Sequence, residues 1–585
     1  MISLIKKIRF VLDKKQKKQF AILGVLILIG GFLETLGISA LMSVITVVIS
    51  PDRLMAIIEG SHFLLGIYNF IGIKDFVQLV VILLSAIIIV FIIKNLFSLY
   101  LVYYQSTFIN HSKTKMTSRV LREYLNRPYE VYLTTDIPTT FRLTESDIPK
   151  SFSMILALLQ LASEVVVVIL LFIILLISNW QFTLFLALLF GGLTLFVLYV
   201  IRPVTNNVGR INMQNESIIY RWRMQSIYGL KDIKVLNREG FFVNNYFEAG
   251  MIGANTFRKY NVLNSTPRLL GETIFIIGVI IFIMYFMISG AKGEELALTL
   301  GVFGIAAIRI LPSFTRINTY FQEVSFYEPA FESLCDTLEE GMKTDAHLAT
   351  RQEKSLSDAL VLNNEIALNN ITYAYPGTTK KIFLDASMRV RKGESVGIIG
   401  TSGAGKSTIV DILLGLLQTQ SGTITCDGRD IFDNYESWLR QIGYIPQSIY
   451  LVDDSIRNNI AFGINEKLIN DERIWEALRE AQLDEFVREL PEGIETHIGD
   501  RGVRISGGQR QRVGIARALY HNPEILVFDE ATSALDNETE QAVMDAINNF
   551  HGRKTMIIIA HRLNTIAKCD VIYKVLNGKL EETQI

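Results

Sequence analysis

Apolar residues are spread unevenly along the chain. Residues 1–325 hold long, almost uninterrupted apolar runs, whereas 345–585 alternate apolar and polar positions as a soluble α/β mixture does. A membrane helix needs about 20 apolar residues. Runs of that kind occupy about 20–50, 76–104, 154–178, 181–201, 268–289 and 296–322. The connection Ser178-Asn179-Trp180 is very short, so the runs it joins are expected as a hairpin, and the connection Ser289 to Glu295 is also short. The connections at about 105–153 and 202–267 are long and polar. They are expected to be helical extensions of the spans, each ending in a short transverse helix, near Asn126–Thr135 and Tyr220–Tyr228.

Lysine and arginine set the orientation. The two long connections carry Lys113, Lys115, Arg119, Arg122, Arg127, Arg142 and Lys150, then Arg202, Arg210, Arg221, Arg223, Lys231, Lys234, Arg238, Arg258 and Lys259. The opposite side holds Arg53, Lys74 and Lys292. Both termini and both long connections are therefore expected on the cytosolic side. The basic start, Lys6 to Lys18, precedes an apolar run too long for a secretory signal, so residues 1–18 are expected as an elbow on the membrane surface. Between the first two runs, Leu54, Ile57, Ile58, Phe63, Leu64, Leu65, Ile67 and Tyr68 fit either a short helix at the outer surface or a capping loop. Glu34, Lys94, Glu164, Arg268, Glu272, Arg309 and Arg316 lie within or near the ends of spans, where lipid exposure is costly. Lys94, Arg268, Arg309 and Arg316 would line a positive cavity, or else pair with the glutamates or snorkel to an interface. Pro312 is expected to loosen its helix.

Composition agrees with this division. Of 585 residues 50% are hydrophobic, and mean hydropathy is +0.32, high for a wholly soluble protein. The formal net charge of −1 says little about partners, because charge is segregated along the chain. Cys335, Cys426 and Cys569 have no metal-ligand spacing and are expected as reduced thiols. The expected domains are 1–325 in the membrane, a charged connection over 326–360, and a soluble domain over 361–585.

The soluble domain carries the chemistry. The apolar run Ser395 to Ile399 leads into Gly400-Thr401-Ser402-Gly403-Ala404-Gly405-Lys406-Ser407, and helical spacing follows from Thr408. Strand, glycine loop and helix form the setting in which backbone N–H groups cradle phosphates. Lys406 would reach the outer phosphates, and Ser407 would offer a hydroxyl to Mg²⁺. The strand Ile525-Leu526-Val527-Phe528 ends in Asp529 and Glu530. Asp529 suits the Mg²⁺ shell, and Glu530 suits a general base polarising the attacking water. Tyr375, upstream, could stack on adenine.

Between these motifs stands Ile505-Ser506-Gly507-Gly508-Gln509, opening a helix. This resembles the signature of ABC ATPases, with Ile505 where most members have leucine. The family's other motifs occur in order: Tyr375 as the A-loop aromatic, Gln447 as the Q-loop, Ser533-Ala534-Leu535-Asp536 as the D-loop and His561 as the switch histidine. The resemblance implies ATP and Mg²⁺ as cofactors, with Ser407, Gln447 and Asp529 at the metal. It also implies catalysis by Glu530 with Gln447 and His561, and ATP sandwiched between two such domains. One chain holds one phosphate loop and one signature, so a second copy is implied, most simply as a homodimer.

A membrane half before an ATPase half resembles an ABC exporter half-transporter: an all-α polytopic membrane domain of six helices plus an α/β P-loop ATPase domain. The subgroup it resembles is the bacterial lipid-linked oligosaccharide flippases of protein glycosylation. The residues that carry this are Phe32-Leu33-Glu34-Thr35-Leu36-Gly37-Ile38-Ser39, Arg309-Ile310-Leu311-Pro312-Ser313-Phe314-Thr315-Arg316-Ile317 and the segment after the first span. That resemblance implies a polyprenyl-diphosphate oligosaccharide substrate, a bacterial inner-membrane location and Lys94, Arg268, Arg309 and Arg316 as substrate contacts. Lys94 stands where an arginine is expected, keeping charge without bidentate geometry. The alternative is an exporter of another amphipathic substrate: a lipid A-type lipid, a drug or a peptide. A stand-alone ABC ATPase is excluded by the apolar half, and neither nucleic acid nor an importer's partner chain is expected.

Overall fold

The computed structural model describes residues 2–49, 76–178, 180–288, 293–354, 359–530, 537–560 and 566–583. The segment expected at the outer surface (52–75), the D-loop (533–536), His561 and the Arg309 side chain lie outside the described residues. The chain divides into two compact units: Met1–Asn126 with Asp136–Met342, and Arg127–Thr135 with Lys343–Ile585.

The first unit is helical. Its main helices are Lys14–Ile49, Phe76–Asn126, Ile148–Ser178, Trp180–Phe196, Arg202–Tyr228, Glu239–Ile288 and Gly293–Lys354. Among the described residues four segments are long and apolar enough to cross a membrane: Lys14–Gly37, Val80–Asn126, Ile137–Ile173 and Thr183–Tyr228. The first and third helices of that set meet closely. A Cβ on Gly31 would stand 2.8 Å from Val167, and the Ser163 hydroxyl donates to the Ile27 carbonyl at 3.3 Å. The elbow is a helix, Ile2–Val11, and its apolar face is buried. Leu4, Ile8 and Val11 share a core with Phe108, Met116, Phe331 and Leu334, while Lys7 pairs with Glu332 at 3.4 Å.

Two expectations need correction here. Tyr220–Tyr228 is no transverse helix but the last turns of Arg202–Tyr228. The break comes at Gly229, and the short helix is Leu230–Val235. The connection expected over 326–360 is helical as far as Lys354, in one helix unbroken at Pro312 and Pro329. Its part up to Met342 belongs to the first unit, because Phe331, Leu334 and Leu338 recur at helical spacing and are buried.

The second unit has two sheets. Strands β1 (Glu365–Ala374), β2 (Lys381–Arg391), β4 (Ser421–Cys426) and β5 (Arg429–Asp430) form an antiparallel sheet in the order β2-β1-β4-β5. The other sheet runs β10-β9-β3-β8-β7-β6, with β3 (Ser395–Ile399), β6 (Ile442–Ile445), β7 (Ile525–Asp529), β8 (Thr555–Ile559), β9 (Val571–Leu576) and β10 (Lys579–Thr583). Pairings from β9 to β6 are parallel; β10 is antiparallel. All five residues of β7 and of β8 are buried, as strands covered on both faces must be. One core joins the antiparallel sheet to the helix Lys406–Leu413. A second, around Ile449, Ile474, Leu478 and Val513, holds the helices between β6 and β7. Arg127–Thr135, with its short helix Tyr129–Tyr132, belongs to this unit near the expected position. The Glu130 carboxylate accepts the Gln418 backbone N–H at 2.6 Å.

Candidate nucleotide site

The phosphate loop takes its shape from β3 and from its glycines. Gly403 has φ 78° and Gly405 φ 107°, values that side chains resist. At Gly405 a Cβ would also strike Ile382 Cγ2 at 2.7 Å. The helix Lys406–Leu413 starts there, with N–H groups and positive dipole end facing the loop. Lys406 is buried, and its ammonium donates to the Gly400 and Thr401 carbonyls at 3.1 and 3.3 Å. Phosphate oxygens would replace these neutral acceptors with charged ones, a stronger bond type.

Ser407 donates its hydroxyl to Asp529 Oδ1 at 3.3 Å, bringing the two nucleotide motifs together. Burial raises the Asp529 pKa, as does Glu530, while hydrogen bonds from Ser407 and Tyr444 and the charge of Lys406 oppose the rise. Asp411, on the phosphate-loop helix, is pushed up to about 6 by burial and by the charge of Asp529. The hydroxyl and carboxylate oxygens of Ser407 and Asp529 are hard donors. They fit Mg²⁺, which prefers one or two carboxylates plus phosphate oxygens and water.

Gln447 Nε2 donates to Glu530 Oε2 at 2.7 Å. Glu530 follows β7 at φ 50°, and its N–H is held by the Ile559 carbonyl at 3.1 Å. A left-handed backbone at a glutamate costs about 1–3 kcal/mol and gathers at functional sites. Tyr375 shares a hydrogen bond between its hydroxyl and Thr408 Oγ1 at 2.9 Å, and Tyr373 packs edge-on at 5.3 Å. Tyr375 is thereby fixed beside the helix Lys406–Leu413.

The signature helix is Gly507–Leu519. Ser506 Oγ accepts the Gln509 N–H at 3.2 Å, and Gln509 Oε1 accepts the Ser506 N–H at 2.9 Å. This capping box leaves Ser506 and Gly507 exposed, with Gly508 buried beneath them. The helix packs in the second core, apart from the phosphate-loop helix in the first. Arg517 fastens it to the segment after the Q-loop, donating to the Tyr450 and Asn459 carbonyls at 2.8 Å each.

The sequence did not single out Tyr444, Asp411 or Arg517. Tyr444 stands three residues before Gln447 on β6. That position in the Q-loop strand is the signal that would have found it.

In the first unit three of the four basic candidates, Arg316, Arg268 and Lys94, have described side chains. Arg316 lies 2.7 Å from Glu164 and 4.0 Å from Glu34, and Arg268 lies 3.5 Å from Glu272. The Lys94 ammonium sits 5.1 Å from the Phe91 ring centre. Of the readings left open, Arg316 and Arg268 pair with glutamates. The three cysteines are free thiols.

Fold and site together define a nucleotide-binding domain attached to a membrane-type helical unit, and known proteins of that kind match. The family model described as ABC transporter matches residues 383–533. An uncharacterized ABC transporter ATP-binding protein, YwjA, of Bacillus subtilis is 31% identical over 420 residues, covering 70% of each chain. The ATP-dependent lipid A-core flippase of Yersinia pestis is 37% identical over 279 residues, 48% of this chain and 46% of that one. The match thus spans about half the length of that curated relative. The structure of a bacterial Atm1-family ABC exporter with ATP bound superposes with a TM-score of 0.71 at 22% identity, covering 98% of this chain and 96% of that chain. The chain belongs to the ABC transporter family, carries its ATPase domain and has the exporter fold.

Proposed function

We propose that the chain is one half of a homodimeric, ATP-driven flippase of the bacterial inner membrane. Its substrate is an anionic lipid carrying a polyprenyl diphosphate and an oligosaccharide. Six spans within 1–325 form the pathway, with both termini and the ATPase domain, from about 361, on the cytoplasmic side. The observation that carries the ATPase reading is the pair of contacts Ser407–Asp529 and Gln447–Glu530, which joins phosphate loop, Q-loop and strand end in one cluster.

Gly400 to Thr408 hold the phosphates and Tyr375 the adenine. Ser407, Gln447 and Asp529 would hold Mg²⁺, which neutralises phosphate charge. Glu530 takes the proton of the attacking water, and Lys406 and His561 stabilise the charge on the transferred phosphoryl group. Ser506 to Gln509 complete the site of a second copy. Closure over ATP would move the spans as rigid bodies through the long connections.

The diphosphate would meet Lys94, Arg268, Arg309 and Arg316. Arg316 and Arg268 must exchange carboxylate for phosphate, so binding includes release of Glu164 and Glu272. A lipid A-type lipid, also anionic, is the second reading, favoured by the relative whose name carries it. The test is reconstitution in liposomes with labelled polyprenyl-diphosphate glycan. ATP-dependent loss of label from one leaflet, absent in Glu530→Gln, supports the first reading. No movement of that lipid beside ATP-driven movement of lipid A or an amphipathic drug overturns it.

A further inference from the structure

A cleft of about 700 Å³ lies in the first unit, between the N-terminal elbow and the polar end of the helix Phe76–Asn126. Its floor includes Val11 and Met116, both buried. Its rim carries His111, Lys115, Arg119 and Arg122. These residues follow the spacing i, i+4, i+8, i+11, which puts them on one helix face. Asp13 is the acid that lines the cleft, and it lies 3.7 Å from Lys115. Arg119 pairs with Glu123 at 2.8 Å. Among the described residues no side-chain hydrogen bond or ion pair engages His111 or Arg122. Lys14, Lys15 and Lys18 are exposed on the helix that carries the lining residue Gln16.

On the same helix, Leu96, Leu99, Val102 and Tyr103 are exposed large apolar side chains. From Tyr103 to His111 is a rise of about 12 Å. Along the axis Lys115 lies about 18 Å and Arg122 about 28 Å from Tyr103, so the end of the cleft at His111 and Lys115 is the part nearest the apolar surface. A free anion uses only the rim. An amphiphile with acyl chains and a phosphate headgroup uses both surfaces.

We propose that this cleft binds the headgroup of an anionic glycerophospholipid from the bilayer, at a site separate from the transport pathway. The proposal rests on reading Phe76–Asn126 as a span whose polar end is cytoplasmic. Basic pockets at that level attract anionic headgroups through both local charge and the surface potential of the leaflet. Lys115 is held by one carboxylate at a distance a phosphate would improve on, and Arg122 offers a planar fork to two phosphate oxygens.

The test uses the full-length protein in detergent, titrated with dioleoyl phosphatidylglycerol or dioleoyl phosphatidylcholine, with retained lipid counted by native mass spectrometry. Wild type should retain phosphatidylglycerol preferentially. Lys115→Gln/Arg122→Gln should weaken that retention by about tenfold, with melting temperature and ATPase rate in detergent unchanged. Arg122→Gln alone gives a smaller loss, and serves if the double variant does not fold. Millimolar inorganic phosphate should not displace the lipid. Equal retention by wild type and variants, or displacement by inorganic phosphate, would overturn the proposal. No transported lipid enters this assay, so its failure is distinct from failure of the flippase reading.

Discussion

Glu530 is placed by backbone rather than by packing. β7 ends at Asp529, and the next residue turns left-handed with its carboxylate against Gln447. A general base removed without loss of volume leaves binding intact, so Glu530→Gln should slow ATP hydrolysis by at least about 100-fold and retain ATP binding. A steady-state rate assay beside nucleotide-binding titration checks both. Asp411 gives a pH prediction. Its folded pKa, about 6, lies above its ordinary 3.8. A raised carboxylate pKa gives stability that is full below the unfolded value and is lost as pH rises through the folded one. Asp411→Asn should therefore raise the melting temperature at pH 7.5, and the gain should vanish near pH 4. These nucleotide residues were legible in sequence because phosphate binding forces a local pattern: glycines at left-handed positions, then a lysine at a helix start. Asp411 was not legible, because its neighbour Asp529 is brought close only by the fold.

At the scale of elements, the signature helix and the Q-loop segment are packed as one piece. A Cβ on Gly514 would lie 2.4 Å from Ile449 Cδ1, and Ile449 is buried. Gly514→Ala should cost about 1–3 kcal/mol, read as a lower melting temperature of the protein. Within the second unit the segment Arg127–Thr135 is held to Gln418 through Glu130. Glu130→Ala removes a charge-assisted hydrogen bond worth about 1.5–3 kcal/mol. It should leave ATP binding unchanged and reduce substrate moved per ATP hydrolysed, measured in the same proteoliposomes. Element ends were harder to read than element kinds. Nothing between Tyr220 and Tyr228 stops a helix, and Gly229 was the breaker. Over 326–354 charge suggested a linker, while Phe331, Leu334, Leu338 and Gly341 kept a helical stripe toward the core. The buried pair Arg142–Asp147 joins charges across a turn of widened helix, a contact that no spacing rule announces.

For the whole molecule, the chain carries one phosphate loop and one exposed signature, held in separate cores of the same unit. Each ATP should therefore be enclosed by Lys406 of one copy and Ser506 of another. Two chains carrying different lesions test it. Lys406→Ala and Ser506→Arg should each abolish ATP hydrolysis as homodimers. Co-produced with distinct tags and purified through both, a mixed dimer pairs an intact phosphate loop with an intact signature at one of its sites. This dimer should recover about half the wild-type ATPase rate. A mixed dimer as inactive as its parents, or a Ser506→Arg homodimer at the wild-type rate, would contradict it.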